Sequence, residues 1–254
     1  MEIPNSLSEI WKLIFISNLF RYLTFAGIPF LIFYWLRKDT ILAKKIQAKL
    51  PKNADYQREI AYSILTFVIF SFVGVMLYHP LVKPHTMAYN HVSDYGIPYM
   101  IFSFFIILVI HDTYFYWMHR AMHHPKLYKI FHTLHHKSTN PSPWASFAFQ
   151  PSEAFFEAGI FVLVSFIMPT HIYTLISFLL FMTAYNVYGH LGWELYPKNF
   201  NKHWFGQWLN TSVNHNMHHQ YFRGNYGLYF TYWDKLMGTT HEKYDERFAE
   251  ITGR

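Results

Sequence analysis

Imidazole ligates iron, zinc and copper alike, and two histidines four residues apart lie on one helix face about one turn from each other. The segment His119-Arg-Ala-Met-His123 has this spacing, so its two rings can grip one ion; His124 follows directly. His132-Thr-Leu-His135-His136 and His215-Asn-Met-His218-His219 repeat a second pattern, H-x-x-H-H, whose spacings of three and four bring the first ring close to both later ones. One such match among 17 histidines carries little weight. Two matches beside an i,i+4 pair carry far more. A fourth element, His190-Leu-Gly-Trp-Glu194, again has residues four apart: His190 can complete a ligand set, and Glu194 can be a ligand or a partner that orients an imidazole. The candidate catalytic residues are therefore His119, His123, His132, His135, His136, His215, His218 and His219, and with His190 they are the candidate metal ligands. Nine nitrogens are too many for one ion, since a structural zinc takes about four. Two ions with four or five nitrogens each fit the count, and ligand type alone does not choose the metal.

Other polar residues carry competing readings. Asp112 lies seven residues before His119 on the same helix face, placed either to hydrogen-bond a ligand or to be buried and paired. Glu153 and Glu157 are i,i+4 carboxylates near the start of an apolar stretch, for which a structural role is expected. The lone histidines His79, His85, His91, His171 and His241 read as core or proton-relay groups, and His111 and His203 read the same way although they lie nearer the clusters. The run Tyr114-Phe-Tyr-Trp117 has the composition of an interfacial aromatic belt.

The elements that must position these residues are apolar helices. The sequence is 52% hydrophobic and 21% aromatic with a mean hydropathy of only +0.05, which suits a chain part membrane and part wet and excludes disorder. Four apolar stretches stand out: Leu13 to Leu36, interrupted by Arg21, which would snorkel or mark an interface; Ile60 to Tyr78; Ile97 to Ile110, continuing to Met118; and Ala154 to Tyr188, broken at Pro169-Thr170-His171. The last is expected to form a hairpin of two spans or two shorter helices that do not fully cross, with Glu157 facing protein rather than lipid. No cleavable signal peptide is evident, and residues 79 to 98 read as an outside loop. Of 21 Lys and Arg, 18 fall in three segments, Arg37 to Arg58, Arg120 to Lys137 and Lys198 to Arg254, which alternating spans put on one face, the cytoplasmic one. The histidine clusters share that face, although the charge count made no use of them. The net charge of +6 thus belongs to juxtamembrane positions, and no nucleic-acid motif accompanies it. The absence of cysteine excludes disulfides, Cys-ligated iron–sulfur clusters and thiolate haem. The expected fold is all-α: a multi-pass transmembrane bundle of about four spans with a cytosolic helical cap carrying the histidines. It forms one membrane domain over residues 1–254, with N-terminal transmembrane helices over 10–110 and the histidine region over 111–254.

With Asp112 to His124, Phe131 to His136, His215 to His219 and the run Asn225 to Thr239, the chain resembles the fatty acid hydroxylase/sterol desaturase superfamily over about residues 100 to 240. The resemblance implies a membrane-embedded di-iron site that uses O2 on sterols, fatty acyl chains or related lipids, with the box histidines as ligands and His190 as the isolated histidine between boxes. Zinc can replace iron on purification. Glu194, where fatty acyl hydroxylases show a second histidine, points to the sterol desaturase branch. Gln150-Pro151 stands where many relatives show His-Pro, which bears on a contact behind the ligands. Electrons are expected from a separate carrier such as a b-type cytochrome or ferredoxin, and the location is a bacterial inner membrane or the endoplasmic reticulum. Two rivals predict different things. A di-zinc membrane hydrolase predicts turnover without O2, and a metal transporter predicts histidines strung across the bilayer.

Overall fold

The computed structural model describes residues 6–36 and 42–254. Arg37 and Lys38, which open the first basic segment, lie outside the described residues. Nine α-helices are described: α1 (Leu7–Phe30), α2 (Asn53–Met76), α3 (Gly96–Met122), α4 (Pro125–Phe131), α5 (Pro151–Ile167), α6 (Ile172–Gly189), α7 (Ser212–Tyr221), α8 (Tyr232–Leu236) and α9 (Tyr244–Thr252). A π-helical turn over Leu31–Leu36 continues α1 just beyond Pro29. Four of these segments are long and apolar enough to cross a membrane: Leu7–Leu36, Asn53–Met76, Gly96–Met122 and Ile172–Gly189. The protein is an all-helical membrane protein. Its only described strands are two-residue pieces, β1 (Ala88–Tyr89) and β2 (Thr170–His171), paired in parallel.

The fourth apolar stretch forms two helices. Pro169 forces the residue before it out of the helical region, and Met168 is extended with φ −152°, so α5 stops at Ile167. His171 then caps α6, accepting a hydrogen bond at Nδ1 from the Tyr173 amide (3.1 Å). Only α6 of this pair reaches spanning length; α5 has 17 residues.

The core lies where α1, α2, α3, α5 and α6 meet, around Tyr22, Phe67, Ile107, Ile160 and Phe178. A short helical turn, Pro143–Phe147, is inserted between α1, α2 and α6. Its backbone is tied down by spanning helices: the Tyr22 hydroxyl and Ser63 Oγ both donate to the Trp144 carbonyl (2.8 and 3.1 Å), and Ser142 donates to the buried carboxylate of Glu59. This anchoring matters because the turn lies between the second histidine cluster and α5. The Arg21 guanidinium donates to Asn18 Oδ1 one turn away (2.7 Å) and makes no ion pair with an acid among the described residues.

Lys83 and Lys126 flank opposite ends of α3, and both are exposed. In this cysteine-free sequence a single cysteine is an unambiguous probe. Lys126→Cys is expected to react with a membrane-impermeant maleimide from one side of the membrane only, and Lys83→Cys only from the other. Labelling of both from one side would contradict the spanning assignment of α3.

Candidate metal centre

Three helix ends and one turn converge here. His119 sits in the last turn of α3 and His123 is its C-cap; His190 is the C-cap of α6; His215, His218 and His219 lie on α7. The middle cluster is not on a continuous helix. α4 ends at Phe131, and His132 to His136 form a turn running into one turn of 3-10 helix, still closed by an amide–carbonyl bond from His136 to His132 (3.3 Å).

The nine predicted histidines gather into two groups. One holds His119, His123, His132, His136 and His218; the other holds His135, His190, His215 and His219, and in each the ligand nitrogens lie within 4.8 Å of one another. The i,i+4 rule survives in both: the pairs 119/123, 132/136 and 215/219 each stay together. The middle histidine of each H-x-x-H-H motif does not stay with its own pair. His135 crosses to the group of His215 and His219, and His218 crosses to the group of His132 and His136. His132 is close to both later rings, 4.6 Å from His136 and 5.2 Å from His135 between ring centroids, but shares a group with His136 alone.

The chemistry of the donor set points to cations. Five rings are tied at Nδ1 to backbone carbonyls: His119 to Tyr226 (2.9 Å), His135 to Ala148 (3.4 Å), His190 to Asn186 (2.8 Å), His218 to Gly224 (2.8 Å) and His219 to Ser138 (3.0 Å). A carbonyl only accepts, so each of these Nδ1 atoms carries the proton and each Nε2 presents a lone pair. Yet Nε2 of His190 faces Nε2 of His219 at 3.2 Å and that of His135 at 3.4 Å. Two lone pairs at that distance repel unless a cation lies between them. The separations, 2.9 to 3.4 Å across the site, are the edges expected of a polyhedron with metal–nitrogen bonds of about 2.0–2.1 Å. The Nε2 of His218, buried without a protein partner, fits the same reading.

Burial keeps these rings neutral. Desolvation, followed by neighbouring imidazoles, holds His132, His135, His136, His215, His218 and His219 well below the ordinary histidine value, and burial takes His190 down to about 4. Neutral imidazole is the form that binds metal, so protons do not compete at neutral pH.

The carboxylates divide differently from expectation. Glu153, expected to be structural, accepts from His132 Nδ1 (2.6 Å), the arrangement that fixes a ligand's tautomer and raises its basicity. Its place near the start of α5, next to the Gln150-Pro151 pair, was the available signal. Glu194 hydrogen-bonds to no imidazole among the described residues: its carboxylate accepts from the Tyr188 hydroxyl (2.6 Å), the Tyr196 amide (2.9 Å) and the Val213 amide in the first turn of α7 (3.0 Å). It stabilises the positive end of the helix that carries the third cluster. Asp112 is buried and paired, accepting from the amides of Tyr229 and Phe230 (2.8 and 3.2 Å), while His111 Nδ1 meets the Tyr229 hydroxyl (2.8 Å). Gln150 hydrogen-bonds to no ring among the described residues; its amide and Ser152 bind the Ile130 carbonyl and tie α5 to α4. His124 is exposed and caps α4, and His203 is exposed.

The run after α7 supplies a function that spacing did not reveal. Gly224 and Asn225 adopt φ of 74° and 56°, which turns the carbonyls of Gly224 and Tyr226 toward His218 and His119. A Cβ on Gly224 would come within 2.6 Å of the Thr239 carbonyl, so only glycine fits. Asp234 holds this loop by accepting from the amides of Tyr226 (2.9 Å) and Gly227 (2.8 Å).

Two outcomes are expected. Glu153→Gln lowers metal affinity about 10- to 100-fold in chelator competition, with the helical circular dichroism retained. Metal-free protein loses thermal stability as pH falls below 6.5, because the unfolded chain then takes up protons that buried His190 refuses until about pH 4. A flat melting temperature between pH 7.5 and 5 would contradict the buried neutral rings.

The fatty acid hydroxylase family model matches residues 104–239, which include every residue of both groups. A Delta(7)-sterol 5(6)-desaturase of Gibberella zeae is 28% identical over 183 residues, covering 72% of this chain and 55% of that protein. Lathosterol oxidase of Homo sapiens is 28% identical over 230 residues (90% and 74%), and a Delta(7)-sterol 5(6)-desaturase of Schizosaccharomyces pombe is 28% identical over 242 residues (95% and 75%). The chain thus spans just over half the length of the first of these relatives. No solved structure matches it. With the family match extending over more than half of its length, the chain belongs to the fatty acid hydroxylase family.

Proposed function

We propose that the protein is a membrane-bound di-iron oxygenase that hydroxylates or desaturates a lipid of the sterol or fatty acyl type, with O2 as oxidant and a separate carrier, such as a b-type cytochrome or ferredoxin, as electron donor. The observation that carries this reading is the pair of buried imidazole groups whose lone pairs face one another. The names of the relatives, sterol desaturases and lathosterol oxidase, favour a sterol and the desaturase outcome.

Iron, when bound, supplies the oxidation of an unactivated C–H bond, which no side chain can perform. The protein does the rest. His119, His123, His132, His136 and His218 hold one ion, and His135, His190, His215 and His219 the other. The backbone carbonyls and Glu153 behind them fix ring orientation. Phe115 and Phe149 pack on His119 and His135 (ring centroids 5.0 and 5.4 Å) and keep water from that side of the site. The adjacency of the groups, with His132 and His135 rings 5.2 Å apart, counts against a transport path strung across the bilayer. On this reading the histidine face is cytoplasmic, at a bacterial inner membrane or the endoplasmic reticulum, and the substrate arrives from the bilayer.

Purified protein is expected to carry about two irons per chain and to oxidise lathosterol only with O2 and a reductant. His135→Ala and His136→Ala, one in each group, are each expected to abolish product seen by lipid mass spectrometry. Zinc occupancy with turnover in the absence of O2 would overturn the proposal, as would lipid oxidation retained in either variant.

A further inference from the structure

A succession of oxidisable rings leads out of the first histidine group. Tyr226 packs on His119, His123 and His218, with ring centroids 5.7, 5.1 and 5.5 Å away. Tyr116 follows at 6.3 Å, then Trp233, stacked on Tyr116 at 5.9 Å, then Tyr232 at 5.3 Å, which is 50% exposed. Every ring in the series is a phenol or an indole, although phenylalanine is the commonest aromatic of the sequence, with 26 residues against 20 Tyr and 8 Trp. A phenol or an indole gives up an electron far more readily than a phenyl ring, so this series can carry an oxidising hole from the histidines to the surface. Two other rings beside the histidines lead nowhere. Phe149, which packs on His135, is a phenyl. Tyr128 lies 5.5 Å from His123, but its further ring contacts among the described residues are to His132 and His136.

The buried middle ring has a place to put its proton. Arg120 donates to the Tyr116 oxygen (3.1 Å), and Thr239 donates its one hydroxyl proton to Asp234 (2.7 Å). The remaining bond, between Tyr116 and Thr239 (2.9 Å), is therefore donated by the Tyr116 O–H. A phenol that loses an electron becomes strongly acidic, and Thr239 with Asp234 behind it can take up its proton without water. Arg120 also lies over the face of Trp117, 5.7 Å from the ring centroid, where its charge opposes a positive hole on that indole. Trp233 is thereby left as the exit from Tyr116. We infer that Tyr226, Tyr116, Trp233 and Tyr232 form an escape route that drains oxidising equivalents from the metal centre to the surface when O2 has reacted there with no lipid C–H bond in place. In each pass one electron moves from Tyr116 across Tyr226 to the centre, and the Tyr116 proton shifts to Thr239 as Thr239 passes its own to Asp234. Trp233 then returns an electron to Tyr116, which recovers its proton, and Tyr232 refills Trp233. A soluble thiol refills Tyr232 and leaves as half of a disulfide. Two passes, added to two electrons from the carrier, take O2 to water and two thiols to one disulfide. This inference rests on the oxygenase reading and adds to it a way of surviving turnover without substrate.

The test uses iron-loaded protein in lipid-free detergent, given O2, a reductant and a nitroso spin trap, with adducts mapped by peptide mass spectrometry. Wild type is expected to carry adducts on Tyr232 and Trp233, and none when O2 is left out. Tyr116→Phe, which keeps the ring and removes the oxidisable phenol, should bind iron as wild type does and lose the Tyr232 adduct. Trp233→Phe breaks the route one ring further out and should lose it too, so the second variant decides if the first does not load iron. With glutathione in place of the trap, both variants should form less glutathione disulfide per O2 consumed and inactivate faster than wild type. Tyr232 adducts undiminished in an iron-loaded variant, adducts confined to Tyr128 or the histidines, or O2 consumption with no adduct in wild type would each overturn the inference and leave the oxygenase reading standing. Iron-loaded wild type that consumes no O2 would instead remove the oxygenase reading, and this inference with it.

Discussion

The structure depends on one recurring interaction: the outward nitrogen of an imidazole donating to a fixed oxygen so that the inward nitrogen can only be a lone pair. At least five of the nine rings are held by backbone carbonyls and one by Glu153. Much of the surrounding architecture exists to hold those oxygens still. Asp234 fixes the loop that presents Gly224 and Tyr226. Arg58 on α2 donates to Ser138 Oγ (3.1 Å), and the Ser138 carbonyl receives the His219 proton. Asp112 grips the strand-like segment at Tyr229 that follows this loop. A membrane bundle with several buried acids thus spends them mainly on backbone amides, which are obligatory hydrogen-bonding groups wherever water is absent.

The electrostatic consequence is unusual. Two divalent ions held by nine neutral nitrogens would keep their full charge inside a low-dielectric protein, where carboxylate-rich di-iron bundles neutralise it at once. Here only Glu153 stands directly behind a ligand. Burial that depresses the imidazole pKa values and burial that leaves the ionic charge uncompensated are the same physical circumstance. With two ions bound as proposed, such a site would attract negative charge arriving from outside, in the form of electrons or of reduced oxygen.

Local periodicity made a large part of this legible. Apolar runs of spanning length located α1, α2, α3 and α6, and a proline placed the break between α5 and α6, because each depends on residues near in sequence. The i,i+4 pairs 119/123, 132/136 and 215/219 were legible for the same reason. The crossing of His135 and His218 to the opposite groups was not, since it depends on how α7 docks against the turn after α4. Glu153 was misjudged as structural because its partner lies 21 residues away across a loop, and Glu194 drew attention as a possible ligand through its spacing from His190, whereas it caps α7. The roles of Gly224 and Tyr226 are carried by backbone carbonyls, which every residue possesses and no motif announces.

The exchange of middle histidines between the groups has a thermodynamic meaning. Each H-x-x-H-H segment contributes to both ion positions, so the ordering entropy of residues 132–136 and 212–219 is shared between them. On the proposed two-ion reading, the first ion to arrive would stiffen both segments and thereby prepare most of the cradle for the second, whose association would no longer have that entropy to overcome. Loading would then be cooperative without any change of shape, and the interlacing of the chain itself would keep half-filled molecules rare.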